Sequence, residues 1–253
     1  FRSMGRRLSP YTDDRPKCLV EIAGRPMLAR QLEAYRQAGV TEFVIVRGYL
    51  GDRLAAALAA EPDVTFVDNP HFQRNNILCS LMCAAEHMSG PGGFLFSYSD
   101  IVFRPSLVRA VQETPGDLAL LVDPHYATVY EGRTDHPIDE GELAEVQGGR
   151  VLRVGKRVVP PAEAQGEFIG LLRASEAGAA HMLRTFAQRK AELGLDAPYG
   201  RAPRLEVAYL TDLLNDLIAQ GADLRAALSQ APDSWREIDT VQDLERARRV
   251  IDW

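Results

Sequence analysis

Two hydrophobic patterns alternate along this chain. Short continuous apolar runs, as in "TEFVIVRG", "VTFVDN", "GGFLFSYSD", "DLALLVDP" and "GEFIGLLRAS", predict strands buried in a sheet. Between several of them, apolar residues recur three and four apart. That spacing predicts amphipathic helices over "RPMLARQLEAYRQAG", "GDRLAAALAAE", "NNILCSLMCAAEHM" and "PSLVRAVQE". Pro26 suits the first turn of the first helix, and Gly39 suits its C-terminal cap. Alternation of this kind predicts an α/β sheet with helices on its faces.

The pattern changes near residue 124. "HYATVYEGRTDHPIDEG" is polar and mixed in charge, and "ELAEVQGGRVLRVGKRV" predicts a hairpin turning at Gly148-Gly149. Two longer helical patterns follow, "EAGAAHMLRTFAQRKAELG" and "VAYLTDLLNDLIAQG". A short stretch, "SWREIDT", then leads into a last helix, "VQDLERARRVI". With no internal repeat, low-complexity tract or long linker, the economical reading is one domain over residues 1–253, with a distinct region at 124–200 inside it.

Composition narrows the function classes. The 253 residues carry a formal net charge of -6, which argues against non-specific nucleic-acid binding or an anionic membrane surface as main partners. No apolar run approaches the ~20 residues of a membrane-spanning helix. Cys18, Cys79 and Cys83 form no disulfide or zinc pattern and read as buried thiols in a reducing cytoplasm. The five histidines, His71, His87, His125, His136 and His181, show no ligand spacing. No G-x-G-x-x-G follows a strand, which disfavours a dehydrogenase.

Against that acidic background, "GRRLSPYTDDRPKCL" gathers Arg6, Arg7, Arg15 and Lys17 around Pro10 and Pro16, directly after Gly5. A phosphate chain needs N–H donors, fixed cations and a backbone that approaches closely, and this stretch offers all three. A solvated basic loop is the plainer alternative.

The longer stretch "GRRLSPYTDDRPKCLVEIAGRPML" resembles the signature of the nucleotidyltransferase superfamily that makes NDP-sugars and CDP-alcohols. Gly5, Arg7, Pro10, Thr12, Pro16, Lys17 and Leu19 fall on the family positions. Arg6 stands where Ser or Thr is usual, and Ser3 where a first glycine would be. The resemblance covers essentially the whole chain. It implies a Rossmann-like three-layer α/β/α fold of the nucleotide-diphospho-sugar transferase type, with a mixed, mostly parallel central sheet. The family opens with an apolar strand, and only "FRSM" precedes Gly5, so the expectation is that this sequence lacks an N-terminal segment.

Further stretches narrow the resemblance. "DNPHFQRNNILCSLMCAA" resembles a segment of bacterial phosphocholine and phosphonate cytidylyltransferases in which the residues at Asn75, Asn76 and Ser80 border the nucleoside; helix capping by either Asn is the alternative. "YLTDLLNDLIAQG…SWREIDTVQDLERA" looks like the C-terminal region of the same enzymes. There Asp239 takes the place of one metal-binding aspartate, and Asp100, closing "FLFSYSD", takes the place of the other. "GRVLRVGKRVVPPAEAQGEFIGLLRAS" implies an acceptor site bordered by Lys156, Glu167 and Gly170, within the 124–200 region.

The implied enzyme is a Mg²⁺-dependent cytidylyltransferase that moves CMP from CTP to a small phosphonate or phosphocholine-like acceptor and releases pyrophosphate. Lys17 and Arg7 would be catalytic. Gly5, Arg6, Arg7, Lys17, Asn75, Asn76 and Ser80 would bind nucleotide, and Asp100 and Asp239 the metal. A cationic acceptor would find Tyr126, Tyr130, Asp135, Asp139, Glu140 and Trp235 available, an ammonium favouring the carboxylates. A sugar-1-phosphate nucleotidyltransferase using UTP or GTP is the alternative, and a non-catalytic nucleotide-binding module stands behind it. Cytoplasmic location is the expectation, and a homodimer stays open.

Overall fold

The computed structural model describes residues 5–253, so Ser3 and the leading strand implied ahead of Gly5 lie outside the described residues. After two 3-10 turns, Arg6–Leu8 and Lys17–Leu19, a two-residue hairpin β1 (Glu21–Ile22) and β2 (Arg25–Pro26) leads into α1 (Met27–Gln37). β3 (Phe43–Arg47), α2 (Gly51–Ala57) and β4 (Val64–Asp68) form a parallel βαβ unit. Next come α3 (Ile77–Met82), α4 (Ala85–Met88), β5 (Phe94–Ser97), β6 (Ile101–Phe103), α5 (Pro105–Glu113) and β7 (Leu118–Asp123). The region from 124 opens with α6 (Tyr126–Tyr130) and the hairpin β8 (Glu142–Gln147) and β9 (Arg150–Lys156), followed by β10 (Gly166–Ala174) and α7 (Glu176–Leu193). α8 (Leu210–Ala219), β11 (Leu224–Leu228), β12 (Trp235–Glu237) and α9 (Val241–Val250) complete it.

The main sheet runs β5-β10-β7-β11-β9-β8. It is mixed, as expected, but it is not mostly parallel as the resemblance implied: among the described residues one of its six strand pairings is parallel. β7 and β11 are parallel, whereas β10 lies antiparallel between β5 and β7, and the β8–β9 hairpin extends the antiparallel side. The hairpin turns at Gly148 and Gly149, both at positive φ (57° and 77°), which the predicted tight turn requires.

The apolar runs are continuous because both faces of the sheet are covered. Leu121 of β7 and Ile169 and Leu171 of β10 face a core built with α1, α2 and α5. Leu118, Leu120 and Val122 of β7, with Phe168 and Leu172 of β10, face a second core built with α3, α7 and α8. A third, smaller cluster decides where the site goes. Leu8, Val20, Ile22 and Met27 pack with Val102, Ile238, Leu244 and Ala247, seating the N-terminal loop against the C-terminal strand and helix.

Three sequence expectations are adjusted. "NNILCSLMCAAEHM" forms two short helices, because the backbone tightens at Cys83 and Ala84, whose N–H groups bond three residues back to Ser80 and Leu81. β3 is only partly buried, with Val44 39% exposed, since among the described residues it pairs on one side only, with β4. β11 was not anticipated: "LRAAL" is composed of good helix formers, and pairing beside β7 overrides that preference.

Gly170 marks where β10 slips register against β7, between Phe168 and Leu172. Its φ is +84°, and a Cβ there would stand 2.2 Å from the Tyr98 ring. Gly170→Ala is therefore expected to lower stability by at least ~2 kcal/mol in urea unfolding. A wild-type midpoint would overturn this account of β10.

Candidate active site

The basic loop is shaped by one glycine. Gly5 adopts φ +62°, and a Cβ would meet the Thr12 methyl at 2.9 Å. The Thr12 hydroxyl donates to the Gly5 carbonyl (2.8 Å), and the Leu8 N–H bonds the same carbonyl (2.8 Å). With Leu8 buried as the anchor, Arg6 lies on the exposed side, while Arg7 and Lys17 reach inward.

Strand pairing assembles the acidic half. β6 and β12 run antiparallel with Ile101 opposite Glu237, and the Ile238 N–H donates to the Asp100 carbonyl (2.8 Å). This register sets Asp100, in the turn between β5 and β6, beside Asp239, just beyond β12. Lys17 Nζ then bridges them: it lies 2.8 Å from Asp100 Oδ2 and donates to Asp239 Oδ1, while Arg7 Nη2 donates to Asp239 Oδ2. Lys17 and Asp239 are only 7% and 9% exposed. Burial works against both charges. The Asp100 and Asp239 carboxylates nonetheless hold the Lys17 ammonium well above its ordinary range, and Lys17, His136 and Arg7 hold Asp239 well below the usual carboxylate range.

Sequence reasoning missed the residues behind this triad. Arg133 is buried and donates to both Asp243 oxygens (Nε to Oδ1 2.6 Å, Nη2 to Oδ2 3.0 Å) and to Glu237 Oε2 (2.8 Å). The same Asp243 carboxylate accepts from the Asp239 and Thr240 N–H groups, so Arg133 fixes the turn that carries Asp239. His136 Nδ1 lies 3.2 Å from Asp239 Oδ2 and 3.4 Å from Glu237 Oε2. Arg133 Nη2 stands 3.0 Å from that nitrogen, so a protein cation already fills the space among His136, Glu237 and Asp239. The oxygen set of Asp100, Asp239 and neighbouring Glu237 suits a hard divalent ion, and the Lys17 ammonium marks where a cation is held. Glu237 was legible in principle as the "E" of "REIDT"; Arg133 and His136 carry no local signal.

Lys17, Asn75, Asn76, Ser80, Asp100, Lys156, Glu167, Glu237 and Asp239 are among the residues lining a cleft of about 960 Å³, which also reaches apolar side chains such as Leu32, Ile45 and Phe94. Asn75 exchanges amide hydrogen bonds with Asn69 (3.0 and 2.9 Å). Asn76 stands at the N-cap of α3, but its side chain donates to the Val207 carbonyl (3.2 Å) instead of accepting from the helix. Lys156 is paired with Glu140. Gly170 lies behind Tyr98, outside the lining. Of the aromatic candidates, Trp235 is buried with its indole N–H on Asp123 (2.6 Å), and Tyr130 donates to Glu167 Oε1 (2.6 Å). Cys18 is buried, and Cys79 and Cys83 are half-buried, all as free thiols.

Residues 3–190 match the family of MobA-like NTP transferase domains. The chain belongs to that family. This MobA-like NTP transferase is 27% identical over 245 residues to the CTP:phosphoglutamine cytidylyltransferase of Campylobacter jejuni, covering 95% of this chain and 94% of that one. It is 28% identical over 92 residues to the 2-aminoethylphosphonate cytidylyltransferase of Lancefieldella rimae, 36% of this chain and 37% of the relative. Its fold superposes on the CTP:phosphocholine cytidylyltransferase of Streptococcus pneumoniae with a TM-score of 0.72 at 19% identity, covering 98% and 94% of the two chains. The NTP transferase fold expected from the basic signature is thus the fold observed. Among the described residues no helix is long and apolar enough to cross a membrane.

Two carboxyls of the cleft form no ion pair among the described residues: Glu167, which is buried, and Glu142, which is half-buried. Glu142 accepts from Tyr98 (2.7 Å) and Thr211 (3.3 Å), and burial raises it to about 7; burial likewise raises Glu167 to about 8, although Tyr130 opposes this. The ordinary glutamate value is 4.5, so between there and about 8 the folded chain keeps a proton on Glu167 that the unfolded chain releases. Stability contributed by this group is full below pH ~4.5 and lost as pH rises through ~8. Denaturant unfolding at pH 5.5 and 8.5 is expected to show a loss of roughly 2–4 kcal/mol, with a clearly smaller loss for Glu167→Gln. Equal slopes in the two proteins would refute the assignment.

Proposed function

We propose that this NTP transferase is a Mg²⁺-dependent cytidylyltransferase that moves CMP from CTP to a small phosphorylated or phosphonate acceptor bearing an ammonium group. The observation that carries the reading is the meeting of Lys17 with Asp100 and Asp239 at the floor of the cleft. Asp100 and Asp239, with Glu237 beside them, would hold the metal, which when bound supplies neutralisation of phosphoryl charge.

An ionised phosphate or phosphonate oxygen is already a nucleophile. It forms a bond to the α-phosphorus of CTP as the bond to the β-phosphate breaks, and pyrophosphate leaves with the electron pair. Neither a general base nor a covalent intermediate is needed, so alignment and charge placement carry the catalysis. Arg7 and Lys17 would take the triphosphate, with the loop backbone around Gly5 and Arg6 beside it. Asn75, Asn76 and Ser80, which line the cleft, would face the nucleoside. Lys156 would face the acceptor's phosphoryl group.

The acidic lining supports an ammonium at the other end of the acceptor. Glu167 Oε2 is buried with no hydrogen-bond partner, and an ammonium arriving there would favour loss of the carboxyl proton and donate to that oxygen. The acceptors named for the relatives, phosphoglutamine, 2-aminoethylphosphonate and phosphocholine, are all nitrogen-bearing phosphoryl compounds.

Pyrophosphate release measured across CTP, UTP, GTP and ATP, each with 2-aminoethylphosphonate, phosphocholine and glucose-1-phosphate, tests this directly. CTP with a nitrogen-bearing acceptor is expected to dominate, and Lys17→Ala and Asp100→Ala are each expected to lower kcat about 10²–10³-fold. Preference for UTP with the sugar phosphate, or full activity in both variants, would overturn the proposal.

A further inference from the structure

We propose that Lys17 and Arg7 close the metal site of the ligand-free protein, so that a divalent ion enters together with its triphosphate and binds poorly alone. This rests on the reading of the cleft as a nucleotide site. Asp239 has no idle oxygen: Oδ1 accepts from Lys17, and Oδ2 accepts from Arg7 and faces His136 Nδ1 at 3.2 Å. Asp100 Oδ2 is likewise held by Lys17 at 2.8 Å. The carboxylates that would ligate a metal are thus already neutralised by the protein's own cations.

The ion pairs around the site point the same way. Arg7, Lys17 and Arg133 face Asp100, Asp239, Glu237 and Asp243, so the acidic side chains of the site are already held by cations of the protein. A divalent ion arriving alone must pull the buried Lys17 ammonium away from both of its carboxylate partners, which low-dielectric surroundings make costly. A triphosphate removes that obstacle, because it brings more negative charge than the ion cancels and gives Lys17 and Arg7 new partners. The Lys17 side chain is long and unbranched, and it lines the cleft, so the move needs no change of fold. Linkage then makes the effect reciprocal: metal strengthens nucleotide binding by the same factor.

The decisive measurement is Mn²⁺ binding to the full chain without nucleotide, read from the paramagnetic resonance signal of free Mn²⁺. Lys17→Met is expected to bind Mn²⁺ about ten-fold or more tightly than wild type, within the usual range of site-to-site coupling. Adding Asp100→Asn to Lys17→Met should abolish the gain. Arg7→Gln, at a side chain 38% exposed, keeps the test available if Lys17→Met fails to fold, and it should shift affinity the same way by a smaller factor. Equal affinities of wild type and both single variants would overturn the inference. Failure of every Mn²⁺–NTP pair to raise the wild-type melting temperature would instead refute the nucleotide reading, a result visible separately from the variant comparison.

Discussion

Opposite charges from three remote parts of the chain meet at one point: Lys17 from the N-terminal loop and Asp239 from near the C-terminus, both buried, and Asp100 from the middle, half-buried. Neither buried ion is tolerable there alone, since an unpaired buried ion is expensive to desolvate. Together they constrain everything around them. The loop must be stiff enough to deliver an ammonium, β6 and β12 must pair in one register, and α9 must begin where Asp243 can hold the turn. The small apolar cluster from Leu8 to Ala247 makes those demands compatible, because it packs loop, strand and helix as a unit.

Behind this centre the charges are arranged in depth. Arg133 is matched to Asp243 and Glu237 and fixes the turn that carries Asp239. In front of it, Lys17 pairs with Asp100 and Asp239, and Arg7 with Asp239. Glu142 and Glu167, also in the cleft lining, form no ion pair among the described residues and keep their protons more readily.

The scaffold divides apolar and polar residues between different places. Strands covered on both faces need only apolar side chains, and β7 and β10 supply them to two cores at once. Polar residues are then left for strand ends and loops, where ligands of open α/β sheets are bound. Asp100 and Asp239 occupy such places, and Gly170 lets β10 pass beneath Tyr98, whose hydroxyl holds Glu142.

Much of this was legible in the residues. Apolar spacing determined most helices and strands, because burial on one stripe or two faces leaves a periodic trace, and the loop from Gly5 to Leu19 stood out as a cluster of cations by composition and spacing. Other features left no local trace. "LRAAL" became a strand only because β7 and β9 offered it edges, and Arg133 and His136 gained meaning only from partners a hundred residues away. The sequence by itself determined which chemical groups are present and on which elements they ride. The tertiary structure decided which of them meet, since a charge pair depends on distance through space, and only the packing of loop, β6 and β12 brings that distance down to a hydrogen bond.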